Sequence, residues 1–408
     1  MWIILRVVIA VVLLVLIQLY FSKKAKFFVK SLFPEFQDKN LKLVLYLFLL
    51  LLNIYPVLLI INSVYAAITN QSVSFPKNDF MDYFVLYPFW ITLIIIVQSL
   101  LLFLVVDVIK LILYPLYKKY KESLTPLLAK LFFIFIVFCI AYVPARVIYD
   151  YNSVDIRTVN FFREDLPENL EGFKVVAISD IQADRYTDES RLMKYINAVN
   201  STSPDLVLVA GDVITSTPDY IETAARYIGK INSKYGVYSC VGDHDNWAYR
   251  RDTPRSIKEI TEALSNYNVK MVDNDIETID VGDSRIGITF ITNTYVSSIP
   301  VDLLNSLSAS NHKDFKIFLT HQPREVILQS AKNYKYDLFL AGHTHGGQIT
   351  FLFPFIRLSP TLIETKYVKG DFYFDDMLAV VSGGLGMSLA PIRYNSTPEV
   401  VLIMLRGK

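Results

Sequence analysis

Four of the chain's five histidines, His244, His321, His343 and His345, stand where an apolar, strand-like run gives way to polar residues. Carboxylates hold the matching places elsewhere. Asp180 follows VVAIS, Gly211-Asp212 follows LVLVA, and Gly242-Asp243-His244-Asp245 follows VYSCV. His321 follows IFLT, and Gly342-His343-Thr344-His345 follows LFLA. Imidazole and oxygen ligands without cysteine suit Mn2+, Fe, Zn2+ or Mg2+, not a structural cysteine-type zinc site. One histidine so placed is more often structural. Four of five at strand ends point to a divalent-metal centre.

Such a centre needs a scaffold that brings distant residues together. From Tyr151 onward, short β-rich runs alternate with amphipathic helical patterns, an α/β organisation. The expected strands are Phe173–Asp180, Asp205–Ile214, Gly236–Gly242, Arg285–Asn293, Phe315–His321 and Tyr336–His343. A β-rich ending follows at Lys366–Tyr373, Met377–Ser382 and Glu399–Leu405. Helices are expected at Glu189–Asn200, Tyr220–Ile231, Arg255–Tyr267 and Arg324–Asn333. In open α/β sheets the crevice at the strand carboxyl ends is the binding site, so the polar strand ends should converge.

The first third has another character. Apolar stretches at Trp2–Tyr20, Leu43–Ile61, Phe84–Val106 and Leu124–Val143 are each near the ~20 residues that a membrane-crossing helix needs. Residues 1–150 thus read as a transmembrane domain, 151–172 as a linker and 173–408 as the catalytic domain. Residues 1–150 carry 14 basic and 7 acidic side chains, and the remainder carries 26 and 32. This balance excludes a basic nucleic-acid binder. Lys23, Lys24, Lys26, Lys30, Lys39 and Lys42 lie between the first two stretches, and Lys118, Lys119 and Lys121 precede the fourth. The positive-inside rule puts these loops in the cytoplasm and the catalytic domain outside it, at the cell membrane. Asn53 and Pro56 are read as marking a kink, and Asp107 with Lys110 as an interfacial pair. Cys139 and Cys240 read as small buried hydrophobes.

The ordered motifs resemble the calcineurin-like metallophosphoesterase superfamily, whose pattern is D-x-H, G-D, G-N-H-D/E, a lone H and G-H-x-H. The likeness covers roughly residues 173–405. GHTHGGQ, Ser382-Gly383-Gly384-Leu385-Gly386, Pro391-Ile392-Arg393 and the ending PEVVLIML look like its membrane-associated branch. The resemblance implies an αββα sandwich holding two divalent ions, with Mn2+ first and Mg2+, Zn2+ or Fe as alternatives. It assigns Asp180, Gln182, Asp212 and His345 to one ion, and Asp212, Asp243, His321 and His343 to the other. His244, backed by Asp245, would act on the phosphate as general acid or donor. Arg393 is a candidate for binding substrate phosphate, with a structural salt bridge as the alternative.

Gln182 stands where the family has His, and Asp243 where it has Asn. This is read as a site tuned to oxygen-preferring ions, with a decayed site as the alternative. Asp184 is read as a loop carboxylate, alternatively a rescuing ligand, and His312 as a surface residue. The run Phe351–Ile356 after GHTHGGQ is either core or a hydrophobic lip. The expected function is hydrolysis of a phosphate ester or pyrophosphate of a lipid or lipid-linked envelope substrate. A non-catalytic phospholigand-binding protein and a nucleotide phosphodiesterase are the alternatives. The expected partner is the lipid bilayer; no nucleic acid is expected, and no protein partner is inferred.

Overall fold

Two units make up the chain, Met1–Ile148 and Tyr149–Lys408. The computed structural model describes residues 2–69, 78–249, 251–353 and 356–407. The Pro354-Phe355 pair of the apolar run therefore lies outside the described residues.

In the first unit the long helices are Trp2–Leu32, Asp38–Thr69, Tyr87–Ile112 and Lys121–Asn152. Their composition and length suffice to cross a membrane, and the chain is a membrane protein. Two polar side chains on these helices, Asn53 and Asp107, find partners on another helix, as hydrocarbon surroundings favour. Asn53 Nδ2 donates to Gln18 Oε1 at 2.8 Å, tying the second helix to the first. Asp107 is held mainly by Lys24 (2.6 Å) and by the Tyr20 hydroxyl (2.8 Å), with Lys110 more distant at 3.8 Å. The Asp107–Lys110 pairing read from the sequence is thus the weaker contact, because Lys24 reaches the carboxylate from another helix.

The second unit is an αββα sandwich. One six-stranded sheet has the order β1 (Asp155–Arg163), β14 (Glu399–Gly407), β2 (Lys174–Ile178), β3 (Leu206–Val209), β4 (Val237–Cys240), β5 (Val269–Val272). The other runs β12 (Gly370–Phe374), β13 (Met377–Val381), β9 (Leu338–Ala341), β8 (Phe315–Thr320), β7 (Ser284–Ile291), β6 (Asp275–Val281). A separate hairpin pairs β10 (Phe351–Phe353) with β11 (Ile356–Leu358). Strand side chains alternate in direction. Val175, Ala177, Leu206 and Leu208 therefore meet Ile288, Ile317 and Leu340 between the sheets. Their neighbours Val176, Ile178, Val207 and Val209 pack outward on the helices Glu189–Ser201, Ile221–Ile228 and Thr253–Asn266. Helices Val301–Ser310 and Glu325–Asn333 cover the far face of the second sheet.

Strands β2 to β5 are mutually parallel, as are β7, β8, β9 and β13, so the strand ends named above share a direction within each sheet. The segment read as a linker carries an edge strand instead. Residues 155–163 pair with β14, and only Val159 and Phe161 of that run are buried. Two inward side chains amid polar neighbours make too weak an alternation to read as a strand.

Candidate metal centre

The polar strand ends converge. Carboxylate and imidazole atoms of Asp243, His321 and His343 lie within 4.8 Å of one another, as do those of Asp180, Asp212 and His321. His321 Nε2 stands 3.3 Å from Asp212 Oδ2 and 3.4 Å from Asp243 Oδ2. His343 Nδ1 is 2.9 Å from that same Asp243 oxygen. His345 Nε2 approaches Asp180 Oδ1 at 3.5 Å. Gln182 donates Nε2 to Asp212 Oδ2 at 2.9 Å.

The backbone at this edge is unusual. Asp180, Gln182, Asp212, His343 and His345 all hold φ between 50° and 73°. L-residues avoid this left-handed region, and such strain clusters at functional sites. Two strand-end loops also touch backbone to backbone. A Cβ on Gly242 would lie 2.2 Å from the Asp212 amide nitrogen, so only glycine fits there.

Burial opposes protonation of His321, but the Asp212 and Asp243 carboxylates outweigh it and lift its pKa well above the ordinary histidine value. His343 likewise rises to about 9 against burial, through hydrogen bonds to Asp243 and Glu364. Asp212 falls to about 2, because His321 and His244 overcome the burial penalty. His345 is pushed down to about 4, chiefly by burial. Facing carboxylates concentrate negative charge that cations must balance.

The donor set fits divalent metal. Two buried polar atoms, Gln182 Oε1 and His345 Nδ1, have no hydrogen-bond partner, and a buried polar atom without one costs ~1–3 kcal/mol. A cation can satisfy the Gln182 oxygen, while His345 turns Nε2 toward Asp180. Asp180, Gln182, Asp212 and His345 would hold one ion, and Asp212, Asp243, His321 and His343 another.

Other assignments change. Asp245 does not back His244. It is fully buried, and its carboxylate accepts N–H from Gly242 (2.8 Å), Val213 (2.8 Å) and Asp212 (3.0 Å). The His244 ring is held instead by the Thr215 carbonyl, 2.5 Å from Nδ1, with Ser388 Oγ 3.2 Å from Nε2. Arg393 is 0% exposed and donates to the carbonyls of Gly383, Gly386, His345 and Ser396. With every nitrogen engaged inside the unit, it is a structural clamp and not a substrate ligand. Asp184 accepts N–H from Tyr186 and Thr187 and the Thr215 hydroxyl, a loop tie. His312 is exposed in a loop.

A ring of partners went unread in the sequence. Gln322 Nε2 donates to Asp243 Oδ2 at 2.7 Å, and the Tyr295 N–H donates to Asp243 Oδ1 at 2.6 Å. Glu364 Oε1 receives His343 Nε2 (3.1 Å), the Tyr295 hydroxyl (2.5 Å) and Arg324 Nη2 (2.5 Å). Burial works against its charge, but the His343 and Tyr295 bonds prevail and hold it at about 2. Only the position of Gln322, beside His321, hinted at a role. Tyr295, Gln322 and Arg324 also line a cavity of about 450 Å³ whose apolar wall includes Ile299, Val301, Leu304 and Val326.

Two sheets whose strand ends gather histidines and aspartates define a metallophosphoesterase domain. Residues 173–347 match the family of calcineurin-like phosphoesterases, and the chain carries a domain of that family. It is 28% identical over 260 residues to an uncharacterized metallophosphoesterase of Campylobacter jejuni, covering 63% of this chain and 65% of that one. An uncharacterized metallophosphoesterase of Bacillus subtilis is 27% identical, with 59% and 82% covered. A transmembrane protein with metallophosphoesterase domain from Danio rerio is 27% identical, with 60% and 55% covered. The chain thus spans about half to two thirds of the Danio and Campylobacter relatives.

Proposed function

We propose that the chain is a membrane-anchored, metal-dependent phosphoester hydrolase acting on a phosphorylated lipid or lipid-linked substrate. The observation that carries this reading is the convergence of Asp180, Asp212, Asp243, His321 and His343 from strands of both sheets. Divalent ions, when bound, act as Lewis acids that activate water and offset phosphoryl charge. Their identity is proposed as Mn2+, on the oxygen-rich donor set.

The chain's own residues supply position and protons. The Thr215 carbonyl accepts from His244 Nδ1, which leaves Nε2 as the atom that exchanges a proton with the leaving alkoxide. Ser388 Oγ, at 3.2 Å, steadies that nitrogen. Asp245 holds the amides of three residues at the strand ends, fixing the loops that carry Asp212 and Asp243. Glu364 orients His343 as a carboxylate behind a metal-binding histidine does. The apolar stretches and the lysine-rich loops between them support anchoring with the domain outside the cytoplasm.

A second reading, a phospholigand-binding protein without turnover, is favoured by one observation. Gln182 turns its NH2 toward Asp212 Oδ2, not its oxygen. Elemental analysis of the purified full chain, beside His345→Ala, separates the two. The hydrolase reading expects about two ions per chain, fewer in the variant. It also expects His244→Ala to lower turnover of a phosphoester ~100-fold or more while ligand affinity changes little. One ion or none after Mn2+ loading, with no turnover, would favour the binding protein.

A further inference from the structure

Exposed apolar side chains stand next in the chain to polar groups that touch the metal centre. Among the described residues between Asp155 and Gly407, the exposed large hydrophobics Ile156, Phe162, Met193 and Tyr373 are not chain neighbours of a site residue. The rest include Val301 and Val326 on the cavity wall, Leu362 and Ile363 ahead of Glu364, and Leu389 after Ser388. Ile363 is 95% exposed and Leu389 96%. Yet the residue beside each touches a histidine of the centre, Glu364 at His343 and Ser388 at His244. Leu389 also holds a φ of 63°, a conformation that costs a leucine roughly 1–2 kcal/mol. Strained backbone that offers a leucine to water is not explained by packing within this unit.

The chemistry of the flanking sequence selects the occupant. Residues 351–363 contain no carboxylate and one cation, the exposed Arg357, whereas Lys366 and Lys369 further on pair with Glu325 (3.3 Å) and Glu399 (2.7 Å). Lys366 is 71% exposed at its side chain. Exposed aliphatics in a run whose one charged side chain is the exposed Arg357 match an anionic lipid surface, where apolar side chains enter the acyl boundary and a cation meets headgroups. The chain's four apolar helices make a bilayer its ordinary surroundings.

We infer that these exposed aliphatics seat the catalytic unit on an anionic lipid surface, and that Glu364 is a positioning residue linking the seated Leu362-Ile363 turn to the His343 ring. The inference deepens the phosphoesterase reading and rests on it for the role of His343. One carboxylate collects bonds from His343, Tyr295 and Arg324. A shift of the turn that carries it must therefore reorient the histidine.

The test uses the full chain reconstituted in phosphatidylcholine vesicles with or without phosphatidylglycerol. Both native cysteines are buried, so Ile363→Cys and Leu389→Cys can carry an environment-sensitive fluorophore, with Met193→Cys as the control site. The expected result is a blue shift and quenching by nitroxide-labelled lipid at 363 and 389 but not at 193, stronger with phosphatidylglycerol. Equal behaviour at all three sites overturns the docking. So does a 363–363 disulfide that forms readily in detergent, which would mark a second copy as the occupant. Glu364→Gln should weaken Mn2+ binding roughly tenfold, while quenching at 363 in Ile363→Cys/Glu364→Gln persists. Unchanged Mn2+ affinity overturns the link. The quenching needs no turnover, so a chain that binds no metal would end the hydrolase reading and the Glu364 link, and quenching would still decide the docking.

Discussion

Arg393→Lys should destabilise the catalytic unit severely while conserving charge type. The guanidinium donates through Nε and Nη2 to Gly386 O at 2.9 and 2.6 Å. Nη1 donates to Gly383 O and Ser396 O at 3.0 Å and to His345 O at 3.2 Å. An ammonium on a differently shaped stem presents its donors from one nitrogen and cannot span these four carbonyls, so about two lose their partner. Each buried orphan costs ~1–3 kcal/mol, which gives about 4 kcal/mol. The ammonium is also more strongly hydrated than guanidinium, which adds to the cost of burial. Burial already pushes Arg393 itself down to about 10. For a unit of this size each kcal/mol moves the midpoint by ~2–4 °C, so a fall of roughly 10 °C is expected. Near-ultraviolet circular dichroism of the full chain in detergent, followed on heating, reads it. Metal content should fall in parallel, because Gly386, whose N–H holds the Asp180 carbonyl, loses its own tie to Arg393. A variant that melts within about 2 °C of the parent but has a raised KM for a phosphoester would refute the burial argument and return Arg393 to the substrate.

Asp245→Asn exchanges one acceptor oxygen for a donor facing buried amides, and should cost about 3 kcal/mol of stability. A variant that keeps its thermal midpoint and loses only turnover would make Asp245 catalytic after all. Gly242→Ala should abolish metal loading, since its Cβ would collide with Asp212. Elemental analysis showing parental metal content in soluble, folded variant would contradict the close approach. Burial raises Asp337 to about 6 from an ordinary carboxylate value of 3.8. The folded state therefore holds a proton that the unfolded state releases, so this contribution is greatest below pH ~4 and is lost as pH rises through ~6, by about 3 kcal/mol in all. Asp337→Asn should flatten the stability difference between pH 4 and pH 7. An unchanged pH profile in chemical denaturation would show that Asp337 ionises freely in the fold.

What the sequence made legible follows from what each kind of residue signals. Apolar runs such as VVAIS and LFLA, each ending in a ligand-type residue, announce a buried parallel strand and its functional end together. The α/β organisation and the converging ligands could be read from them, while the two-sheet sandwich came from the family resemblance. Strands β1, β5 and β6 and the hairpin β10–β11 were missed: β1, β6 and the hairpin bury few side chains, and β5 is only four residues long. Asp245 was placed behind His244, and Arg393 was left between substrate binding and a structural salt bridge; both instead hold backbone groups. A carboxylate beside a histidine and an arginine after a glycine loop suggest chemistry, whereas only three-dimensional accounting of backbone donors and acceptors shows both fully engaged. Glu364 and Tyr295 had no signal, because each reaches the centre from an irregular loop.

Those backbone-holding roles explain how the centre can exist. Five predicted ligands sit in left-handed backbone, each at a cost of roughly 1 kcal/mol or more. Local propensity would release such turns, so other residues must over-determine them. Asp245 collects the amides on the side of Asp212, and Arg393 collects carbonyls beside His345. The Asp180 carbonyl is held by the Gly386 N–H at 2.6 Å, and the Asp180 carboxylate accepts the His343 N–H. One buried anion gathers donors and one buried cation gathers acceptors, on opposite sides of the same ligand set. Their charges oppose the two polarities of peptide groups that the turns leave unpaired. The strain at the ligands is sustained by groups that need never touch a substrate, which is why truncating either should cost fold and metal together.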